Sequence, residues 1–177
     1  PSSRIYGINA LTGAVNFITR IPDKNFAEVS LNFGSFNSVI TDFTGGIKTQ
    51  KSSHLLNLSY SQSDGFENNT DYYRLSAYYE NNTRIKSIYI KTMAGIIGKG
   101  FGAQSFYTPA FPDQYEEIRS GFAAIKAEGG QKIRWSANVY YRQFRDRFEL
   151  YREHKNYYIR EHNYWINKQK QDTVHWY

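Results

Sequence analysis

Hydrophobic and polar residues alternate one for one along most of this chain. From Ile133 to Arg142 the odd-numbered residues are apolar or aromatic, whereas nearly all of the even-numbered residues are polar or charged. The same period of two recurs in four further segments, residues 27–33, 39–48, 56–61 and 73–80. Side chains of a β-strand point alternately to opposite faces, so each segment predicts a strand with one apolar and one polar face. Residues 86–97 and 121–128 alternate less regularly, and we predict strands there as well.

Turn-forming residues separate these segments, and the connections between them differ in length. Gly, Asn and Asp predict turns at residues 34–37, 45–46, 64–65, 81–82 and 129–130. Short connections are expected near residues 34–38, 49–53, 81–85 and 129–131. Long connections are expected near residues 62–72, 100–118 and 146–158. No segment has the helical spacing of three and four; residues 116–126 come closest, and we interpret them as a loop end that leads into a strand.

The alternation of short and long connections distinguishes two architectures. An outer-membrane β-barrel has short turns on one side and longer loops on the other, with apolar side chains outward and polar side chains inward. We therefore predict an all-β fold, an antiparallel transmembrane β-barrel segment in which Arg134, Asn138 and Arg142 face the interior. The alternative is an amphipathic antiparallel sheet in a soluble protein, whose aromatic residues form a core.

The composition removes several other classes of protein. Of the 177 residues, 18% are aromatic and none is cysteine, which excludes a disulfide scaffold and a thiolate metal site. No run approaches the roughly 18 consecutive apolar residues of a transmembrane helix. The net charge of +6 and the aromatic residues also suit a soluble nucleic-acid-binding β-sheet protein. That alternative needs clustered basic residues, whereas acidic residues stand beside the basic ones at 145–147 and 160–161.

Residues that could support catalysis are scarce. The spacing of the four histidines matches no His-Glu-x-x-His helix, and no Gly-x-Ser-x-Gly nucleophile elbow occurs. The segment Gly98–Gly102 is rich in glycine but lacks the second half of a phosphate-binding motif. We therefore expect that the protein is not an enzyme and has no resident cofactor.

The first twenty residues carry a recognisable motif. From Arg4 to Arg20, a Tyr-Gly turn, a pair of small residues and a Val-Asn-Phe-Ile-Thr strand resemble the end of the plug domain in TonB-dependent outer-membrane receptors. The resemblance implies that residues 1–22 are the C-terminal end of a plug, with residues 14–20 as a strand inside the barrel. It further implies that residues 23–177 are the N-terminal part of a truncated β-barrel domain.

Later segments resemble one branch of that family. Residues 63–72 are similar to an outward-facing loop of these receptors, and residues 101–117 are the most specific match. Together with residues 146–150 and 162–164, they resemble the cobalamin-type receptors of Bacteroidetes.

The resemblance implies a function and a location. A plugged barrel of about 22 strands is expected in the bacterial outer membrane, and this chain would hold about eight of them. Such a receptor takes up a scarce organic ligand, here cobalamin or another corrinoid, when TonB pulls on plug residues that this chain lacks. A surface lipoprotein is a further expected partner, and nucleic acid is not. A TonB-dependent siderophore receptor for iron chelates is the alternative within the family. A fragment with two open edges is expected neither to insert nor to transport alone, because lipid cannot satisfy a strand edge.

The aromatic loop 101–115 is the candidate ligand site. It combines flat apolar surface with amide groups, which suits a large, partly polar ligand. The residues are Gln104, Phe106, Tyr107, Phe111, Gln114 and Tyr115. The alternative is that these aromatic residues pack within the loop or belong to the outer aromatic girdle.

The acidic loop 64–71 is a candidate calcium site. Asp64, Glu67 and Asp71, with two asparagines, supply the oxygen ligands that calcium prefers. The resemblance favours this hypothesis, since calcium orders the outer loops of the cobalamin branch. The alternative is an ordinary solvated acidic loop.

Overall fold

The described residues form one antiparallel sheet that follows the chain order. The computed structural model describes residues 19 and 21–152, and the backbone of residues 171–176. The strands are β1 (Phe26–Gly34), β2 (Ser38–Lys48), β3 (Ser52–Ser63), β4 (Tyr72–Ile85), β5 (Ile88–Gly102), β6 (Tyr115–Gly129), β7 (Trp135–Glu149) and β8 (Gln171–Trp176). Each strand pairs with its neighbours in sequence. The predicted all-β fold of about eight antiparallel strands is therefore confirmed.

The sheet is open in the part of the chain that the structure describes. Contacts between elements join only consecutive strands, so β1 and β8 are its two edges. No α-helix occurs among the described residues, and hence none that is long and apolar enough to cross a bilayer. The predicted plug strand at residues 14–20 lies outside the described residues, except for Thr19 and its contacts.

The predicted alternation of connection lengths is confirmed. Short connections of residues 49–51, 86–87 and 130–134 join the strands at one end of the sheet, which we call the turn edge. Residues 35–37, 64–71 and 103–114 lie at the opposite end, the loop edge, where the connection after Glu149 also begins. Only the first connection of the loop edge is short.

The first hairpin shows why its turn residues were recognisable. Phe36 and Asn37 both have positive φ angles, 58° and 54°, and the N–H of Ser38 donates to the carbonyl of Ser35 at 3.2 Å. Two consecutive left-handed residues make a turn whose twist matches that of the flanking strands. The predicted turns at Gly65 and Gly130 also lie in connections, and both glycines have positive φ.

Three sequence predictions of local structure are wrong. Residues 81–85 are not a connection but the end of β4, because Asn81 pairs with both His54 and Thr92 and the turn follows at Lys86. The predicted turn at residues 45–46 lies inside β2. Residues 116–120 belong to β6 rather than to a loop, since their backbone pairs with β5 and β7 on both sides.

Candidate membrane-facing surface and loop-edge site

One face of the sheet is apolar and exposed from β1 to β7. The registers place Val29, Phe43, Leu58, Ala77 and Ile96 in one row across five strands. Val29 is 66% exposed and Val139 is 72% exposed. Among the described elements no second layer covers this face, since every contact between strands is within the sheet. We call it the apolar face, and the face of Glu28, Ser59 and Asn138 the polar face.

The exposed apolar residues form a band that is inclined to the rows of the sheet. The row that begins at Phe33 continues through Val39, Gln62, Tyr73, Gly100, Glu117 and Arg147. It therefore starts apolar near the loop edge of β1 and ends charged on β7. On β7 the apolar residues instead run from Trp135 to Tyr141, towards the turn edge.

The inclination of this apolar band has a definite size. Its centre lies between Val29 and Leu31 on β1, which the registers align with the stretch Gln143–Arg145 on β7. The centre on β7 lies between Ala137 and Val139, about six residues nearer the turn edge. The shift occurs after β4, where the centre near Ser76 is still in the row of Ser30. With about 3.3 Å per residue and about 4.8 Å between strands, this shift corresponds to an average angle of about 35° between the band and the rows.

The polar face holds a buried ion pair near the turn edge. Glu80 on β4 is 1% exposed, and its carboxylate lies 3.0 Å from the ammonium group of Lys91 on β5. The hydroxyl of Tyr78 and the amide of Asn82 also donate to it, at 2.6 Å and 2.8 Å. Thr19, which precedes β1, donates to the same carboxylate and accepts from Lys91 at 3.4 Å. The segment ahead of β1 therefore contacts the polar face at Glu80.

Large apolar residues also occur on the polar face of β5–β7. Met93, Ile97, Ile118, Phe122 and Phe144 share this face with Lys91 by the period of two. They explain why the alternation was weaker at residues 86–97 and 121–128. Asn138 and Arg142 share the polar face, whereas Arg134, which was predicted to lie with them, is in the connection before β7.

The loops of three hairpins are joined at the loop edge. The guanidinium group of Arg152, just after β7, donates to both carboxylate oxygens of Asp71, at 2.6 Å and 3.0 Å. It also lies 4.5 Å from the ring centre of Tyr115. Asn69 donates to the carbonyls of Pro112 and Gln114, at 2.9 Å and 2.7 Å. Side-chain and backbone contacts therefore connect residues 64–71, 103–114 and 150–152.

The six predicted ligand residues fall into three groups. Phe106 and Tyr107 are 74% and 57% exposed at the loop edge and stack edge to face, with ring centres 4.9 Å apart. Tyr107 donates to Glu116 at 2.7 Å, and this hydrogen bond raises the pKa of Tyr107 to about 12. Gln114 and Tyr115 are buried instead.

The remaining two ligand residues are partly covered. Phe111 packs edge to face on Tyr151, with ring centres 5.6 Å apart. The buried amide oxygens of Gln104 and Gln114 accept no hydrogen bond from the described residues. A ligand can therefore reach Phe106 and Tyr107 directly, whereas contact with Gln114 requires movement of the loop.

The three predicted calcium ligands do not converge in this arrangement. Asp71 is held by Arg152, and the described residues contain no group of three acidic or histidine side chains that could hold a metal ion. Gly65 and Thr70 approach each other closely, so the loop is folded upon itself. The calcium hypothesis stays a prediction, which a calcium titration of the loop tests.

Comparison with known protein families, characterised proteins and solved structures finds no match to this chain.

Proposed function

We propose that this chain is a segment of an outer-membrane β-barrel receptor of the TonB-dependent class. The inclined apolar band carries the proposal. A flat hydrocarbon layer meets tilted strands along a line that crosses their rows at an angle, and strands of outer-membrane barrels tilt by about 35–45°. Between β1 and β7 the centre of the band in this sheet moves by about six residues towards the turn edge, an average inclination of about 35°.

The strand lengths support the same proposal. β5, β6 and β7 have 15 residues each. At about 3.3 Å per residue they measure about 50 Å, and about 40 Å along a bilayer normal after a tilt of about 35°. A bilayer with its headgroups is about 40–45 Å thick. Strands of a soluble protein need no such length, since their usual length is about 5–6 residues.

The open edges require further strands from the same receptor. In lipid a barrel must close, because an unpaired edge leaves backbone groups without hydrogen bonds. A plugged barrel of about 22 strands, with residues 1–22 as the end of the plug, supplies them. The contact of Thr19 with Glu80 and Lys91 supports a segment that approaches the polar face from the N-terminal side.

The receptor would act as an importer rather than as an enzyme. Its ligand is a scarce organic molecule, cobalamin or another corrinoid, taken up with energy from TonB and with a surface lipoprotein as cap. The exposed rings of Phe106 and Tyr107 offer a first contact at the loop edge. An iron-chelate receptor is the second candidate, because Arg74 and Lys99 are direct partners on the polar face and could bind an anionic ligand.

The test uses the full-length receptor. We expect it in the outer-membrane fraction, soluble in detergent and resistant to extraction by alkaline urea. The purified receptor should then bind cyanocobalamin in preference to ferric siderophores. Preference for a siderophore would replace the ligand and leave the class intact. A protein found in the soluble fraction would refute the class and favour the nucleic-acid-binding alternative.

A further inference from the structure

The two edges of the sheet differ in the sign of their charge. The three connections of the turn edge contain four basic residues and no acidic residue. The first three connections of the loop edge contain four acidic residues and no basic residue. Because successive connections lie at opposite ends of the strands, charges that are scattered along the sequence become separated in space. The turn edge is therefore the positively charged end of the described sheet.

Contacts between neighbouring turns bring further basic residues to this edge. The backbone N–H of Arg84 donates to the carbonyl of Lys51 at 2.8 Å, so the end of β4 lies beside the turn between β2 and β3. The backbone N–H of Lys48 donates to the side chain of Asn25 at 2.7 Å, which holds the segment before β1 against the end of β2. Five basic side chains are exposed here, and none forms an ion pair with a carboxylate of the described residues. They are Lys24, Lys48, Lys51, Arg84 and Lys86.

Exposed isoleucines stand between the basic residues in two of the turns. Residues 84–86 and residues 132–134 both have the order basic residue, isoleucine, basic residue. Ile85 is 53% exposed and Ile133 is 81% exposed. Trp135, which is also exposed, follows at the start of β7 on the apolar face. Tryptophan rings favour the level of lipid headgroups, and basic side chains reach the headgroups while their stems contact apolar surface.

We propose that the turn edge binds anionic phospholipids, such as phosphatidylglycerol, in the leaflet that borders it. The basic side chains contact the phosphate groups, and the isoleucines enter the boundary between headgroups and acyl chains, where an amphipathic surface binds through both contributions. A soluble acidic partner or a nucleic acid would match the charges but would leave the isoleucines exposed to water. The proposal rests on the membrane location proposed above and adds a lipid preference to it.

The test measures lipid binding by the full-length protein in detergent micelles. The probes are fluorescent phosphatidylglycerol and fluorescent phosphatidylcholine, and fluorescence anisotropy gives the affinity for each. We expect tighter binding of phosphatidylglycerol, and rising salt should weaken it. A basic residue near an anionic surface contributes about fivefold in affinity. Arg134→Gln should therefore weaken binding of phosphatidylglycerol about fivefold, and the double variant with Lys132→Gln about tenfold or more.

Arg142→Gln is the matched control. Arg142 is exposed and forms no ion pair with the described residues, and it lies on the polar face of β7, eight residues from Arg134. This substitution removes the same charge away from the turn edge and should leave the affinity for phosphatidylglycerol within about twofold. The proposal is overturned if phosphatidylcholine binds as tightly as phosphatidylglycerol, or if Arg142→Gln loses as much affinity as Arg134→Gln.

Competitors separate a phospholipid from other anions. Inorganic phosphate and a single-stranded DNA oligonucleotide carry the charge without acyl chains, so at an equal concentration of phosphate groups they should displace little of the phosphatidylglycerol. Full displacement by phosphate would indicate a site for free anions, and full displacement by DNA would favour the nucleic-acid-binding alternative; either result overturns the proposal. Ile133→Ser should weaken binding of phosphatidylglycerol about fivefold or more, because less apolar surface is buried, and an unchanged affinity would contradict insertion.

Two further measurements keep the outcomes distinct. The substituted side chains are exposed, so the unfolding temperature of each variant without lipid should equal that of the wild type. Membrane fractionation decides the location of the protein independently, so a failure of the lipid preference leaves that location standing.

Discussion

Substitution of an exposed apolar residue by arginine distinguishes a bilayer from water around the apolar face. Val139 lies near the centre of the apolar band on β7 and is 72% exposed. Its neighbour Asn138 is also exposed but belongs to the polar face. The pair Val139→Arg and Asn138→Arg therefore introduces the same charge one residue apart, on opposite faces of one strand.

The expected magnitudes follow from this position. An arginine on the lipid face near the bilayer midplane destabilises a barrel by about 2–4 kcal/mol. This corresponds to a change of about 30-fold to about 700-fold in the folding equilibrium. If the apolar face met water, the same substitution of an exposed side chain would change stability by no more than about 0.5 kcal/mol. Asn138→Arg should stay within that smaller range in both cases.

Because the band is inclined, the same experiment can also compare two positions in one row of the sheet. Val29 and Gln143 lie in the same row of the sheet and on the same face. Val29→Arg falls inside the band and should cost about 2–4 kcal/mol, whereas Gln143→Arg falls near its border and should cost about 0–1 kcal/mol. A band parallel to the rows would give equal costs at the two positions.

Reversible unfolding of the full-length protein from lipid vesicles by denaturant measures these free energies. The proportion of each variant in the outer membrane gives an independent check. Equal, small effects of Val139→Arg and Asn138→Arg would refute the reasoning and would indicate that the apolar face meets water rather than lipid.

Three further predictions concern the polar face, the loops and the packing of the strands. Glu80→Gln, which removes the buried carboxylate that pairs with the partly exposed Lys91, should destabilise the protein by about 1.5–3 kcal/mol in denaturant unfolding. Glu128→Gln, which breaks the exposed pair with Lys126, should cost less than about 1 kcal/mol, and equal costs would contradict the role of burial. Asp71→Asn should accelerate tryptic cleavage after Arg152 by up to about fivefold, because the half-exposed ion pair contributes up to about 1 kcal/mol; Asp64→Asn is the control, and equal cleavage rates would show that the pair does not hold the loops. Gly100→Ala should lower stability by about 1–3 kcal/mol, since its methyl group would meet the ring of Tyr73 at 2.6 Å and the hydroxyl of Tyr115. Gly98→Ala, on the same face with nothing within 4 Å, should be neutral or slightly stabilising, and a loss there as large as at residue 100 would exclude packing as the cause.

The period of two predicted the strands because successive side chains of a strand lie on opposite faces of the sheet. It located β1, β3 and β7 and the order of short and long connections. It failed at Asn81 and Asn82, where turn-forming residues lie inside β4. There the side chain of Asn82 donates to Glu80, and its backbone pairs on both sides. A single sequence does not reveal that a pairing partner on each side outweighs a local preference for a turn.

The contacts at the candidate sites join residues that are far apart in the sequence, and their closeness in space could not be inferred from it. Arg152 and Asp71 are 81 residues apart, and Thr19 and Glu80 are 61 apart. No spacing rule connects such pairs before the strand registers are known. The pair Arg74 and Lys99 could have been found from the sequence only with the register of β4 and β5, which the misplaced turn at residues 81–85 concealed. The exposed aromatic residues of the loop, by contrast, were identifiable by composition.

The contacts that Arg152 and Asn69 make between the loops of the loop edge limit how these loops can be exchanged. Replacement of residues 64–71 alone by a loop from another protein would remove Asp71, which binds Arg152, and Asn69, which donates to two carbonyl groups in the neighbouring hairpin. A grafted loop would then lack the contacts that Asn69 and Asp71 make with residues 103–114 and 150–152. Engineering of a new ligand specificity should therefore replace all three loops together.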